Sequence, residues 1–196
     1  MVTQYPLTLS FKFAALNPQV RVTDASGQLV AFVKQKAFKF KEDITIFADE
    51  AQQRPVFRMQ ADRVIDWGAR YLIADAAGTA LGSLQREGAR SLWKATYHIV
   101  DRDGTKIGLI HEENAWIKVG DALLSGLPYV GLVSGYVFHP AYLIDVRGET
   151  TLYLKKQAAF LEGSYTVDRR KEIAPEEESL LLASTVMALM LERWRG

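Results

Sequence analysis

Cysteine is absent from the 196 residues. That excludes a disulfide scaffold, a thiolate zinc site and a cysteine nucleophile, and it makes the reducing cytoplasm the expected compartment. The opening Met1-Val-Thr-Gln-Tyr-Pro-Leu also lacks the basic start and long apolar core of a secretion signal. An excess of charge of one sign is missing too: 24 Lys and Arg stand against 23 Asp and Glu, a formal net charge of +1. No global field then draws the chain to nucleic acid, so no nucleic-acid partner is expected, and any electrostatic recognition must come from a local patch.

Reaction signatures are equally scarce. Gly-x-Ser-x-Gly does not occur, no glycine-rich phosphate cradle is present, and imidazole chemistry has only three histidines to draw on, His98, His111 and His139. Asp101-x-Asp103-Gly104 faintly resembles a calcium loop. Its glycine arrives at position 4, where an EF-hand has it at 6, so it reads better as a hairpin turn. His111-Glu-Glu113 with His139 forms a metal site only if the chain folds back, and nothing in the sequence enforces that. The expectation is a non-enzymatic protein without cofactor or metal.

What is present is repetition. Val20-Arg-Val-Thr-Asp24-Ala-Ser-Gly27, Leu72-Ile-Ala-Asp75-Ala-Ala-Gly78, His98-Ile-Val-Asp101-Arg-Asp-Gly104 and Leu143-Ile-Asp145-Val-Arg-Gly148 each set Asp-x-x-Gly between apolar stretches. Asp accepts bonds from the backbone N–H groups of a type I turn, and Gly supplies the left-handed residue that follows. Four such hairpins predict an antiparallel all-β protein. Gly82 and Gly108, inside the return strands, indicate bending or a close backbone approach, which suits a closed barrel better than a flat sandwich. Pro175-Glu-Glu-Glu opens a helix expected over about 175–194, with carboxylates at the positive end of its dipole and Arg193 and Arg195 at the other. Its middle is apolar on every side, so it must be enclosed. The thirteen apolar-rich residues from Ser179 to Leu191 span about 20 Å at 1.5 Å per residue, short of a bilayer core of about 30 Å. Enclosure by the chain's own strands follows, and with 48% hydrophobic residues residues 1–196 read as one domain.

Two segments are candidate sites. Lys34, Lys36, Lys39 and Lys41 place four ammonium groups within eight residues, enough to meet a phosphate-bearing headgroup or an anionic leaflet. They also read as solvated edge guards, with Glu42 and Asp43 following at once. The charge-free stretch 123–140 carries Leu127, Tyr129, Val130, Tyr136 and Phe138. Exposed, it would dock a protein partner, a membrane or a second copy of the chain; buried, it would close one end of the barrel. Lys34 and Lys36 share strand parity with Phe38 and Phe40, so a bulge or break is expected near Ala37. Arg169-Arg-Lys171 reads as part of an ion network with Glu172 and the glutamates after Pro175, and Lys155-Lys156 as a weaker cationic patch.

The hairpins at 71–78 and 97–104, Phe32-Val-Lys-Gln-Lys36, Phe160-Leu-Glu-Gly-Ser-Tyr-Thr-Val167 and the final apolar helix together resemble the tubby C-terminal-like superfamily. Within it the chain looks like a LURP-one-related protein, distantly similar to phospholipid scramblases. Ala115-Trp-Ile-Lys and the block from Leu127 to Pro140 are similar to the bacterial version. The resemblance implies a barrel of about twelve antiparallel strands around the C-terminal helix. It implies a binding protein touching anionic lipid headgroups or a membrane surface, cytoplasmic or peripheral at the membrane. Scramblase activity is not implied, since the Pro-rich segment and cysteine cluster of animal scramblases are missing. A small-molecule barrel is disfavoured, because the helix fills the lumen such a pocket would need.

Overall fold

The stretches Leu7–Lys12, Gln19–Thr23 and Asp43–Phe47 alternate buried and open side chains, while Leu29–Lys34 is buried over four residues in a row, and several of the turns are locally encoded. In the computed structural model, which describes residues 3–12, 19–34, 43–62, 70–87, 96–113, 141–157 and 163–193, twelve strands follow one another. They are β1 (Leu7–Lys12), β2 (Gln19–Thr23), β3 (Leu29–Lys34), β4 (Asp43–Phe47), β5 (Pro55–Ala61) and β6 (Arg70–Asp75). The second six are β7 (Ala80–Arg86), β8 (Thr96–Asp101), β9 (Lys106–Glu112), β10 (Ala141–Val146), β11 (Glu149–Gln157) and β12 (Gly163–Arg169). Each pairs antiparallel with its neighbours, and β12 returns to β1, so the sheet closes as a barrel. The expected break near Ala37 lies outside the described residues.

The Asp-x-x-Gly turns form as their chemistry dictates in three of four places. Asp24 Oδ1 accepts from the N–H groups of Ser26 and Gln28, both at 2.9 Å, while Gly27 takes φ +82°. The Ser26 hydroxyl also donates to that oxygen and leads in holding the carboxyl below its ordinary range. Asp75 and Asp101 cap the next two turns in the same way, and Asp101 binds backbone N–H groups of Asp103 and Thr105, which accounts for the calcium-like spacing.

The fourth copy departs from expectation. Arg147 and Gly148 form a two-residue turn with φ +50° and +84°, and Asp145 remains within β10. Its carboxylate turns sideways instead, accepting from Thr150 Oγ1 at 2.7 Å and lying 2.9 Å from His111 Nε2. A further aspartate-capped turn, longer than these, connects β4 and β5. Asp49 accepts from the N–H groups of Gln53 and Arg54, and Gln52 takes the left-handed conformation at φ +59° that glycine takes elsewhere. The sequence pattern passes over it because glycine is missing.

Inside the barrel runs α1 (Pro175–Arg193). From Leu180 to Met190 every residue is buried, Ser184 and Thr185 included, as an all-round apolar surface demands. Thr185 satisfies its hydroxyl on the Leu181 carbonyl one turn back. The helix packs closest to β6, β7 and β8. Gly82 of β7 makes that approach: a Cβ there would stand 2.9 Å from a Leu180 methyl and 2.2 Å from the Val100 carbonyl oxygen. Leu9, Val22, Ile44, Ile73, Ile99, Ile144 and Leu152 project inward from seven different strands onto the same core. No helix among the described residues is long and apolar enough to cross a membrane.

Candidate functional site

In a barrel whose strands follow one another, alternate connections share an end. The tight turns at 24–28, 48–54, 75–79, 101–105 and 147–148 gather where α1 begins, and there Arg147 donates to Glu177 in the first helical turn. At the opposite end the strands stop at Lys12, Gln19, Lys34, Asp43, Ala61, Arg70, Arg86, Thr96, Glu112, Ala141, Gln157 and Gly163. This rim also receives the C-terminal end of α1, where Tyr97 Oη donates to Glu192 Oε1 at 2.6 Å. Burial, followed by the Glu192 charge, holds the Tyr97 phenol well above the ordinary tyrosine range. Hydrogen bonds to charged groups contribute about 1.5–3 kcal/mol. Tyr97→Phe is therefore expected to destabilise by roughly that amount in urea unfolding, and Glu192→Gln, which keeps an acceptor, by less.

Both candidate segments of the sequence attach to this rim. Lys34 ends β3 with its side chain exposed. Lys36, Lys39 and Lys41 lie outside the described residues, as do Leu127, Tyr129, Val130, Tyr136 and Phe138. The strands flanking the two segments, β3 with β4 and β9 with β10, are six strand positions apart in a ring of twelve. Their attachment points thus face each other across the barrel.

Closure of the sheet groups cations that are distant in sequence. Lys12 and Lys34 both oppose Gln19, one through the β1–β2 ladder and one through β2–β3. Odd-numbered Gln19 alternates with buried Val20 and Val22, so this row lies on the outer face. Two strands beyond β1, Lys155 opposes Ala141 and Lys156 opposes Tyr165. From β11 through β12, β1 and β2 to β3, the described strand ends at this rim carry Lys155, Lys156, Lys12 and Lys34 and no acidic residue. Four interstrand spacings of about 4.8 Å make this arc about 19 Å long. The arc from β4 to β9 is the reverse: Asp43, Asp62, Glu87, Glu112 and Glu113 lie on it with Arg70 and Arg86, and Arg58 donates to Asp43 at 2.7 Å. Among the described residues, this rim of a near-neutral chain is thus positive on one side and mainly negative on the other. Sequence reading found Lys34 and noted Lys155 and Lys156 only as a weaker pair. Lys12 stands alone in sequence and gave no signal.

The other candidates resolve into structural roles. Lys171 pairs with Glu149 at 3.6 Å. Arg169 and Arg170 lie over the rings of Tyr5 and Tyr153, at 5.1 and 4.2 Å from their centroids. The expected network with the helix glutamates is replaced: Glu177 is taken by Arg147, from a different hairpin. His98 approaches Glu87 at 4.0 Å. Thr150 donates to Asp145, on the far side of that carboxylate from the imidazole of His111, so this trio does not align a nucleophile with its base. His139 lies outside the described residues. Among the described residues, no three His, Asp or Glu side chains converge as metal ligands. A cleft of about 280 Å³ beside the start of α1 is lined by Arg147, Lys171, Glu149, Glu172 and Glu177 over Val146 and Ile173. Its cations are already paired with its acids.

A model of the LURP-one-related family matches residues 29–190, from β3 into the last turns of α1. The chain belongs to the LURP-one-related family. No curated protein matches the sequence significantly. Among solved structures, the X-ray structure of a protein from Arabidopsis thaliana is similar at a TM-score of 0.51 and 14% identity, over 97% of this chain and 93% of that one. At that identity the likeness is one of fold. Family and architecture agree on a LURP-one-related barrel threaded by its own C-terminal helix.

Proposed function

We propose that this LURP-one-related protein is a non-enzymatic binding protein that touches anionic lipid headgroups at a membrane surface through the cationic arc of its rim. Lys34, Lys12, Lys155 and Lys156 form the contact, and Lys36, Lys39 and Lys41 follow Lys34 in the chain. The observation that carries the reading is the segregation of charge: four lysines and no acid along the described strand ends from β11 to β3. Edge guarding does not account for Lys12, Lys155 and Lys156, whose strands are laddered on both sides. The resemblance to tubby-like proteins adds support from a separate direction, and the cytoplasmic face of a membrane is where such a surface would work. Each lysine near an anionic leaflet contributes about 1 kcal/mol, and the attraction falls off within a Debye length of about 8 Å at physiological salt.

Vesicle co-sedimentation tests this. The protein is expected to pellet with phosphatidylcholine vesicles containing phosphatidylserine and not with phosphatidylcholine alone, with binding weakening as salt rises. A variant with Lys12, Lys34, Lys155 and Lys156 changed to Glu should bind at least about 100-fold more weakly, while Arg70→Glu on the opposite arc should bind nearly as well as the parent. Equal binding by the parent and the four-lysine variant would refute the arc as the contact. No binding by either would end the lipid reading and turn attention to protein partners of segment 123–140.

A further inference from the structure

Eleven of the twelve strand interfaces are paired at five or six positions. The twelfth, between β3 and β4, is paired at one position among the described residues: Phe32 with Phe47. Continuing the antiparallel register would set Val33 against Ile46 and Lys34 against Thr45, yet neither pair forms. Among the described residues the two strands therefore pair near the turn end and form no further ladder pair toward the rim. Arg21 of β2 reaches across β3 to Glu50 in the β4–β5 turn, which ties the seam at its paired end. The inward side chains along the seam are not open: Val33, Ile44 and Ile46 are all at most 2% exposed. What is missing is the ladder, and the burial is intact.

We propose that β3–β4 is a built-in opening seam, the place where the barrel separates while its other interfaces stay closed. Backbone ladders are what make neighbouring strands open together, and local opening follows the segments with the fewest such bonds. A barrel threaded by a helix cannot lose an arbitrary interface at low cost, since each carries a full ladder in addition to its side of the core. Among the described residues, only here is the ladder reduced to one pair. Opening would bare the lumen faces of Ile44, Ile46 and Val33 directly beside Lys34. This inference stands independently of lipid binding.

The absence of cysteine makes the test clean. Single variants Ile46→Cys and Ile144→Cys place a thiol at two inward positions of 0% exposure. The first borders the seam, and the second sits in β10, paired on both sides. With a thiol-reactive dye under native conditions, and after both variants show cooperative melts, Ile46→Cys should label about tenfold or more faster. On the unmodified full chain, hydrogen exchange read by NMR should find the seam-facing amides of β3 and β4 exchanging faster, by about the same factor, than those of β10. This second measurement holds even where a cysteine variant does not fold. Equal labelling of the two thiols, or equal protection of β4 and β10, would overturn the seam.

Discussion

Deleting residues 179–196 leaves a chain that does not fold: no cooperative melt, dye-binding apolar surface, and aggregation at micromolar concentration. The reason is that α1 is the content of the barrel. Leu180, Leu181, Leu182, Val186, Met187, Leu189 and Met190 are all buried to 4% exposure or less. Each such side chain contributes about 1.5–3 kcal/mol when fully buried. Together they contribute more than about 10 kcal/mol, comparable to the entire stability of about 5–15 kcal/mol expected of a native domain. The loss on the barrel side is as large, because Leu9, Ile44, Ile73, Ile99 and Ile144 would line an empty tube, and a dry cavity of that size is not sustained by partial relaxation. A peptide of residues 171–196 supplied in trans should recover part of the far-ultraviolet strand signal. If the shortened chain instead remained monomeric with a sharp thermal transition, the helix would be an accessory and the core would have to lie elsewhere.

The helix was legible in the sequence because enclosure is written in composition: no polar face means no solvent face. The hairpins were legible because Asp and Gly act through bonds within five residues, which no tertiary context needs to supply. The same locality explains one misreading and one omission. At Asp145 the spacing matched, but the Arg147-Gly148 turn needs no aspartate, and the carboxylate was free to serve His111 and Thr150 instead. At Asp49 the aspartate does the capping, while Gln52 stands where the pattern asks for glycine. The cationic arc was hidden for a different reason. It is assembled by β12 closing on β1, which brings Lys12 between Lys34 and the lysines of β11, and no spacing within the chain encodes a neighbour more than a hundred residues away. The thin β3–β4 ladder had no counterpart in the sequence pattern, since the phase conflict after Lys34 concerns residues near Ala37 that lie outside the described residues.

Gly82→Ala is expected to be the most damaging single-methyl addition in the described barrel. An added Cβ would stand 2.2 Å from the backbone oxygen of Val100 and 2.9 Å from a Leu180 methyl, at φ +156°. The methyl can swing aside, but the carbonyl belongs to β8, whose own ladder to β9 fixes it. Overfilling a packed site costs about 1–3 kcal/mol and sometimes more, and with a backbone obstacle the upper end applies. Urea unfolding should therefore show a loss of at least about 3 kcal/mol, or about 6–12 °C in Tm for a chain of this size. Gly27→Ala is the control. Its φ of +82° is also unfavourable to alanine, but nothing lies within 4 Å of the added carbon, so only the conformational cost of about 1–2 kcal/mol remains. Gly108→Ala, facing the Asp145 carbonyl at 2.8 Å, should fall between them. Leu180→Ala on the Gly82→Ala background separates the two contacts at position 82. If the backbone oxygen dominates, the double variant is about as unstable as the two single losses added, within about 0.5 kcal/mol. Restoration of stability by the smaller residue would place the constraint on the helix side. Equal costs at Gly82 and Gly27 would mean that β7 does not approach β8 and α1 as closely as the barrel requires.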